Sequence, residues 1–143
     1  MHYRLNKGDI TLPSDWSDET LYVFKSPDSY NLVINTDTVP PGVSSEAHLK
    51  EQLQLFKDNL PDYNEISRQA IAFAGGTWPF LVYSWTSPES KMYQANLMYI
   101  AEGILTSFTF SNTEAFDDVK MKTIQEVLKS YEPLQEKETT AVD

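Results

Sequence analysis

The run Lys91-Met-Tyr-Gln-Ala-Asn-Leu-Met-Tyr-Ile-Ala101, the pair Glu102-Gly103 and the run Ile104-Leu-Thr-Ser-Phe-Thr-Phe-Ser-Asn112 decide the fold. Both runs are strand-length and free of proline, and a two-residue spacer containing glycine reads as a hairpin turn. Two further β-patterned runs precede them, at residues 64–73 and 77–86, punctuated by Gly75-Gly76, with residues 87–90 forming the next turn. Parallel neighbours need a long crossover, so connections this short predict an antiparallel meander.

Working outward, Pro61 follows a helical pattern that starts at a cap on Ser44 or Ser45 and runs to about Leu60. Leu49, Leu53, Phe56 and Leu60 draw one apolar stripe along it, expected to pack on the sheet. Upstream, residues 20–25 and 30–38 are two more β-rich runs around a Ser-Pro-Asp-Ser turn, and residues 3–5 and 9–12 are short extended pieces joined at Gly8. Downstream, an amphipathic helix is predicted over about 113–131, with Ser111 and Glu114 spaced like a capping box. These elements predict an α+β fold, a single antiparallel sheet with the helices packed on one face and the other face open. Residues 1–131 are expected to form the domain, and residues 132–143 a disordered acidic tail.

The open face is unusual in composition. Side chains alternate across a strand, and an exposed face is ordinarily charged or small and polar. If the helices cover Leu32 and Ile34, then Asn31, Val33 and Asn35 stay uncovered, and the same kind of face recurs as Met92, Gln94, Asn96 and Met98. Tyr22 and Phe24 are assigned to it by the same parity. Such a half-apolar, almost uncharged surface marks an interface.

Composition narrows what that interface receives. The 143 residues carry a formal net charge of -10, which opposes binding to nucleic acid. There is no cysteine, so no thiol nucleophile, thiolate metal site or disulfide framework. The start of the chain lacks the apolar core of a signal peptide and no run of 18 apolar residues occurs, so a cytoplasmic protein without direct membrane insertion is expected. Neither His2 nor His48 is accompanied by a nucleophile motif, and both read as surface residues. No metal site, cofactor or enzymatic activity is expected. The acidic clusters at Asp15, Asp18 and Glu19 and at Asp117 and Asp118 read as solvated turn and helix-start positions.

Met1-His-Tyr-Arg-Leu-Asn-Lys-Gly-Asp-Ile-Thr-Leu-Pro13, Trp16-Ser-Asp18 and Leu21-Tyr-Val-Phe24 resemble the start of the Eag (effector-associated gene) chaperones of bacterial type VI secretion, a DcrB-like family. Asn31-Leu-Val-Ile-Asn35, Glu51-Gln-Leu53 and Tyr93-Gln-Ala-Asn96 extend the resemblance to about residue 131. It implies a Mog1/PsbP-like fold, usually homodimeric, whose concave sheet shields the N-terminal transmembrane helices of a PAAR/Rhs-type effector in the cytoplasm before export. It places Asn31, Val33, Asn35, Gln52 and Gln94 among the helix-binding residues. Strand parity adds Tyr22, Phe24, Met92 and Met98, and Leu60 at the end of the helix stripe completes the expected set. The alternative is a homodimeric small-ligand-binding or scaffold protein with no transmembrane cargo.

Overall fold

A computed structural model describes residues 2–5, 7–17, 19 and 21–133. Strands β1 (His2–Leu5) and β2 (Gly8–Thr11) pair as a separate antiparallel hairpin. The remaining strands are β3 (Leu21–Lys25), β4 (Asn31–Thr38), β5 (Asn64–Phe73), β6 (Gly76–Thr86), β7 (Lys91–Ala101) and β8 (Ile104–Asn112). They form one antiparallel sheet in the order β3-β4-β8-β7-β6-β5. Helix α1 (Ser45–Asn59) links β4 to β5, and α2 (Asp118–Lys129) follows β8.

The meander of β5 to β8 is set by its turns. Ala74 and Gly75 have φ of 49° and 77°, and Glu102 and Gly103 have 51° and 76°, which is the left-handed pair a tight two-residue hairpin loop needs. Gly76 is constrained differently: a Cβ there would stand 2.9 Å from the Trp78 indole nitrogen. β4 then docks on β8, with Leu32 opposite Phe110 and Ile34 opposite Phe108. Because β4 and β5 lie on opposite sides of the meander, α1 must cross a face of the sheet to connect them.

Each helix has its own patch. Leu49, Leu53 and Phe56 of α1 pack on Met98, Ile100 and Leu105. Ile124 and Leu128 of α2 pack with Leu32, Leu97, Tyr99, Phe108 and Phe110, and Phe73, Tyr99, Phe108 and Tyr131 close this core with ring contacts. Met98 and Ile100 point to one side of β7, Leu97 and Tyr99 to the other. The helices therefore lie on opposite faces, and the expectation that both share one face is corrected. An apolar stripe says that a helix packs, but not on which side. The clue was β7, whose consecutive Leu97, Met98, Tyr99 and Ile100 are all buried, the pattern of a strand covered on both faces.

The helix ends follow their caps. Ser44 Oγ accepts the Ala47 amide at 3.1 Å, as expected. The second helix is shorter than predicted. β8 runs on to Asn112, whose side-chain oxygen accepts the Thr113 amide, and α2 begins only after Asp117, which accepts the Lys120 amide at 2.8 Å. The Ser111–Glu114 capping box is not the start of the helix. Predicted tail residues 134–143 lie outside the described residues.

Candidate functional site: the face shared with α1

The pairing registers lay the α1 side of the sheet out in three cross-strand rows. Tyr83, Gln94, Ser111, Asn31 and Lys25 stand opposite one another, as do Leu81, Asn96, Thr109, Val33 and Val23. Met98, Ser107, Asn35 and Leu21 form the third row. Tyr83, Leu81 and Met98 are buried, Tyr83 and Met98 against α1, and the far end of each row is on the edge strand β3. Amides and hydroxyls fill the middle, Val33, Val23 and Leu21 form an apolar border, Lys25 stands at one corner, and on the β5 side the rows continue to the ion-paired Glu65 and Arg68, opposite Tyr83 and Leu81.

The polar strip is internally bonded. Trp85 Nε1 donates to Gln94 Oε1 at 3.0 Å, and Gln94 Nε2 donates to Ser111 Oγ at 2.9 Å. Asn96 Nδ2 donates to Ser107 Oγ at 3.0 Å and to Thr109 Oγ1 at 2.9 Å. The side-chain oxygens of Asn31 and Asn96 are buried with no partner. Desolvated amides without partners are costly, so such a strip favours a neighbour that brings its own donors. Gln94 is thus an oriented amide rather than a free one.

Helix α1 walls one side. Lys50, Leu53, Gln54 and Lys57 share a cleft with Tyr63, Glu65 and Arg68 toward β5. At 100° per residue, Gln52 and Asn59 fall on the other flank, toward β8 and β4. Leu60 caps the helix, and the next residue, Pro61, accepts the Thr86 amide at 2.8 Å, tying the helix end beside Trp85 and Met92, which pair across β6 and β7. The ring of Tyr83, between Phe56 and Tyr63, forms the floor here, and burial pushes its phenol well above the usual range.

Of the expected site residues, Asn31, Val33, Asn35, Gln52, Leu60, Met92 and Gln94 are on or beside this face, half-buried or exposed. Three are not as expected. Met98 has the right parity but is only 2% exposed, because α1 lies over it. Tyr22 and Phe24 pair with Ile34 and Leu32, so they project to the α2 side, and it is Leu21 and Val23 that border the site. A five-residue edge strand that is apolar at four successive positions has no alternation from which parity can be read. Sequence reasoning also missed Ser107, Thr109 and Ser111, although their strict alternation with Phe108 and Phe110 carries the signal. His48 is not a surface residue: it is 5% exposed, and neither ring nitrogen has a partner. Among the described residues, no cluster of acids and histidines is placed to hold a metal ion, and no helix is long and apolar enough to cross a membrane.

The architecture is thus an antiparallel sheet with one helix on each face and an uncharged, internally bonded strip beside α1. The model of the DcrB family matches residues 7–130, and the chain belongs to that family. Effector EagT6 from Pseudomonas aeruginosa is 27% identical over 88 residues, covering 58% of this chain and 61% of that protein, less than two thirds of its length. Among solved structures, the Pseudomonas aeruginosa protein of unknown function PA94 superposes with a TM-score of 0.79 at 20% identity, over 94% of this chain and 97% of its own. The PsbP of the cyanobacterium Synechocystis (CyanoP) gives 0.50 at 11% identity, over 85% and 75%. The fold is Mog1/PsbP-like, as the resemblance implies.

Proposed function

We propose that this DcrB-family protein is a non-enzymatic chaperone of type VI secretion that receives the N-terminal transmembrane helices of an effector on the α1-side face. One observation carries the reading: three cross-strand rows whose centre on β7, β8 and β4 is uncharged amide and hydroxyl and whose border includes Val33, Val23 and Leu21, with charges only at the two ends, Lys25 on β3 and the paired Glu65 and Arg68 on β5. A transmembrane helix in water exposes apolar surface worth about 25 cal/mol per Å², and a soluble host must offer apolar area in return. Val33, Val23, Leu21 and Met92 offer it, while Gln94, Asn31 and Asn35 offer hydrogen bonds to small polar groups on the cargo, as polar residues do between packed membrane helices. The similarity to Effector EagT6 supports an effector as the partner.

The same reading has the protein acting in the cytoplasm as a homodimer. Leu21, Tyr22, Val23 and Phe24 are all more than half exposed on an edge strand, and such edges are sites of further pairing.

The test is co-expression with the hydrophobic N-terminal segment of an effector encoded beside this gene. The segment should stay soluble and co-purify with the wild-type protein and be lost with folded Val33→Asp. Equal solubility of the segment without the protein would overturn the reading and leave the scaffold or small-ligand alternative.

A further inference from the structure

Helix α1 has a second flank, turned away from Gln52 and Asn59. There Lys50, Leu53 and Lys57 line one wall of a cleft of about 530 Å³, and Tyr63, Glu65 and Arg68 line the other. Residues three and four apart share a helix face, so this wall reads cation, apolar side chain, cation over about 10 Å of helix.

A bulge builds the opposite wall. Residues three apart on a regular strand point to opposite faces, but the register shift between Glu65 and Ser67 sets Glu65 opposite Tyr83 and Arg68 opposite Leu81, both on the α1 side. Arg68 Nε and Nη2 then donate to Glu65 Oε1 at 3.0 and 2.6 Å. Glu65 is the only acid lining the cleft among the described residues, and Arg68 takes it. Asp58, next to Lys57 in the chain, accepts the Gln54 amide at 2.9 Å instead. Lys50 and Lys57 form no salt bridge among the described residues. The cleft thus keeps two uncompensated positive charges in a chain with a net charge of -10.

Exposure decides what such a cleft can hold. Both lysines are exposed and the Arg68 side chain is 49% exposed, so each cation stays hydrated and one small anion gains little from it. Weak contacts carried on one chain reinforce each other. Leu53 and Tyr63 are half-buried and supply apolar contact between the charges. In an extended peptide alternate side chains share a face about 7 Å apart, so two acids flanking an apolar residue at this spacing span about 13 Å. Flexible lysine side chains rooted about 10 Å apart reach both. The acidic surface elsewhere is screened beyond about 8 Å at physiological salt.

We propose that this cleft docks an extended acidic segment of a partner protein, with carboxylates on Lys50 and Lys57 and an apolar side chain between them on Leu53 and Tyr63. This site is independent of the effector face on the other flank of α1.

The test titrates the capped peptide Gly-Glu-Ser-Leu-Ser-Glu-Gly into the isotope-labelled full chain at physiological salt, with amide shifts read by NMR. Saturable shifts confined to residues 50–57 and 63–68 are expected, with affinity at least about tenfold above that of the same peptide carrying lysine for both glutamates. Alanine in place of the peptide's leucine should weaken binding, a variation made in the peptide because Leu53 itself also packs on the core. Lys50→Gln with Lys57→Gln should weaken the peptide about tenfold and leave co-purification of the effector segment unchanged, whereas Val33→Asp should do the reverse. Glu65→Gln, which releases Arg68, should tighten it about threefold. Absence of saturable shifts, equal binding of the lysine peptide, or indifference to the double lysine substitution would overturn the proposal. Inorganic phosphate or glutarate moving the same amides with equal affinity would overturn it in favour of a small anion.

Discussion

The indole of Trp85 holds the side-chain oxygen of Gln94 at 3.0 Å, and Ser111 holds its nitrogen at 2.9 Å, so the amide is fixed between β6 and β8. One N–H of Gln94 is left over once these bonds are made. Its direction is set by two neighbours that sequence reading assigns no role in the site.

Trp85→Phe keeps the aromatic bulk and removes the donor. It should cost about 1 kcal/mol of stability, the net worth of one hydrogen bond. Under the chaperone reading it should also reduce the amount of hydrophobic effector segment that co-purifies, because Gln94 is no longer oriented. Urea unfolding and pull-down on the same preparation check both.

Asn96 sits deeper, bridging Ser107 and Thr109. Asn96→Ala leaves both hydroxyls without this donor in a buried site. A loss of about 1–3 kcal/mol is expected, read as a shift of the urea midpoint with an unchanged slope.

Met98 and Val33 should separate core from binding surface. Met98→Ala opens a cavity beneath Leu49, Leu53 and Phe56 and should cost about 2–5 kcal/mol. Val33→Asp, on a half-exposed position, should cost far less by thermal unfolding yet lose the effector segment.

Capping gives a test of the helix boundary. Asp117→Ala removes the acceptor for the Lys120 amide and should cost about 1 kcal/mol, while Glu114→Ala should change stability little. The opposite order would place the start of the helix at the earlier cap.

Alkaline pH should expose the burial of Tyr83. Burial, and then the neighbouring Tyr63, raise its phenol pKa in the folded protein, whereas unfolded tyrosine ionises near about pH 10. The stabilising contribution is complete below that pH. Above it the unfolded state releases a proton that the native state keeps, so stability falls as pH rises. Tyr83→Phe retains the ring between Phe56 and Tyr63 and should flatten this fall in melting temperature above about pH 10.

Much of the fold was legible in the chain. The meander and its turns follow from spacing and from glycine at left-handed positions, and the Ser44-Ser45 pair announced the first helix, whose cap is Ser44. The faces were harder. In β4 a clean alternation separates Leu32 and Ile34 from Asn31, Val33 and Asn35, and that division holds. In β3 no alternation exists, so Tyr22 and Phe24 were put on the wrong side. For α1 the stripe was right and its partner surface wrong, since only the crossing from β4 to β5 fixes where the helix lies. Hydrogen bonds such as Trp85 to Gln94 depend on register between strands, which no single run of residues encodes.

Strand β3 is one residue-layer thick and uncovered on both sides, with Leu21 and Val23 belonging to one surface and Tyr22 and Phe24 to the other. Each of its side chains therefore serves one surface only: a substitution at Leu21 or Val23 changes the border of the α1 side, and one at Tyr22 or Phe24 changes the α2 side.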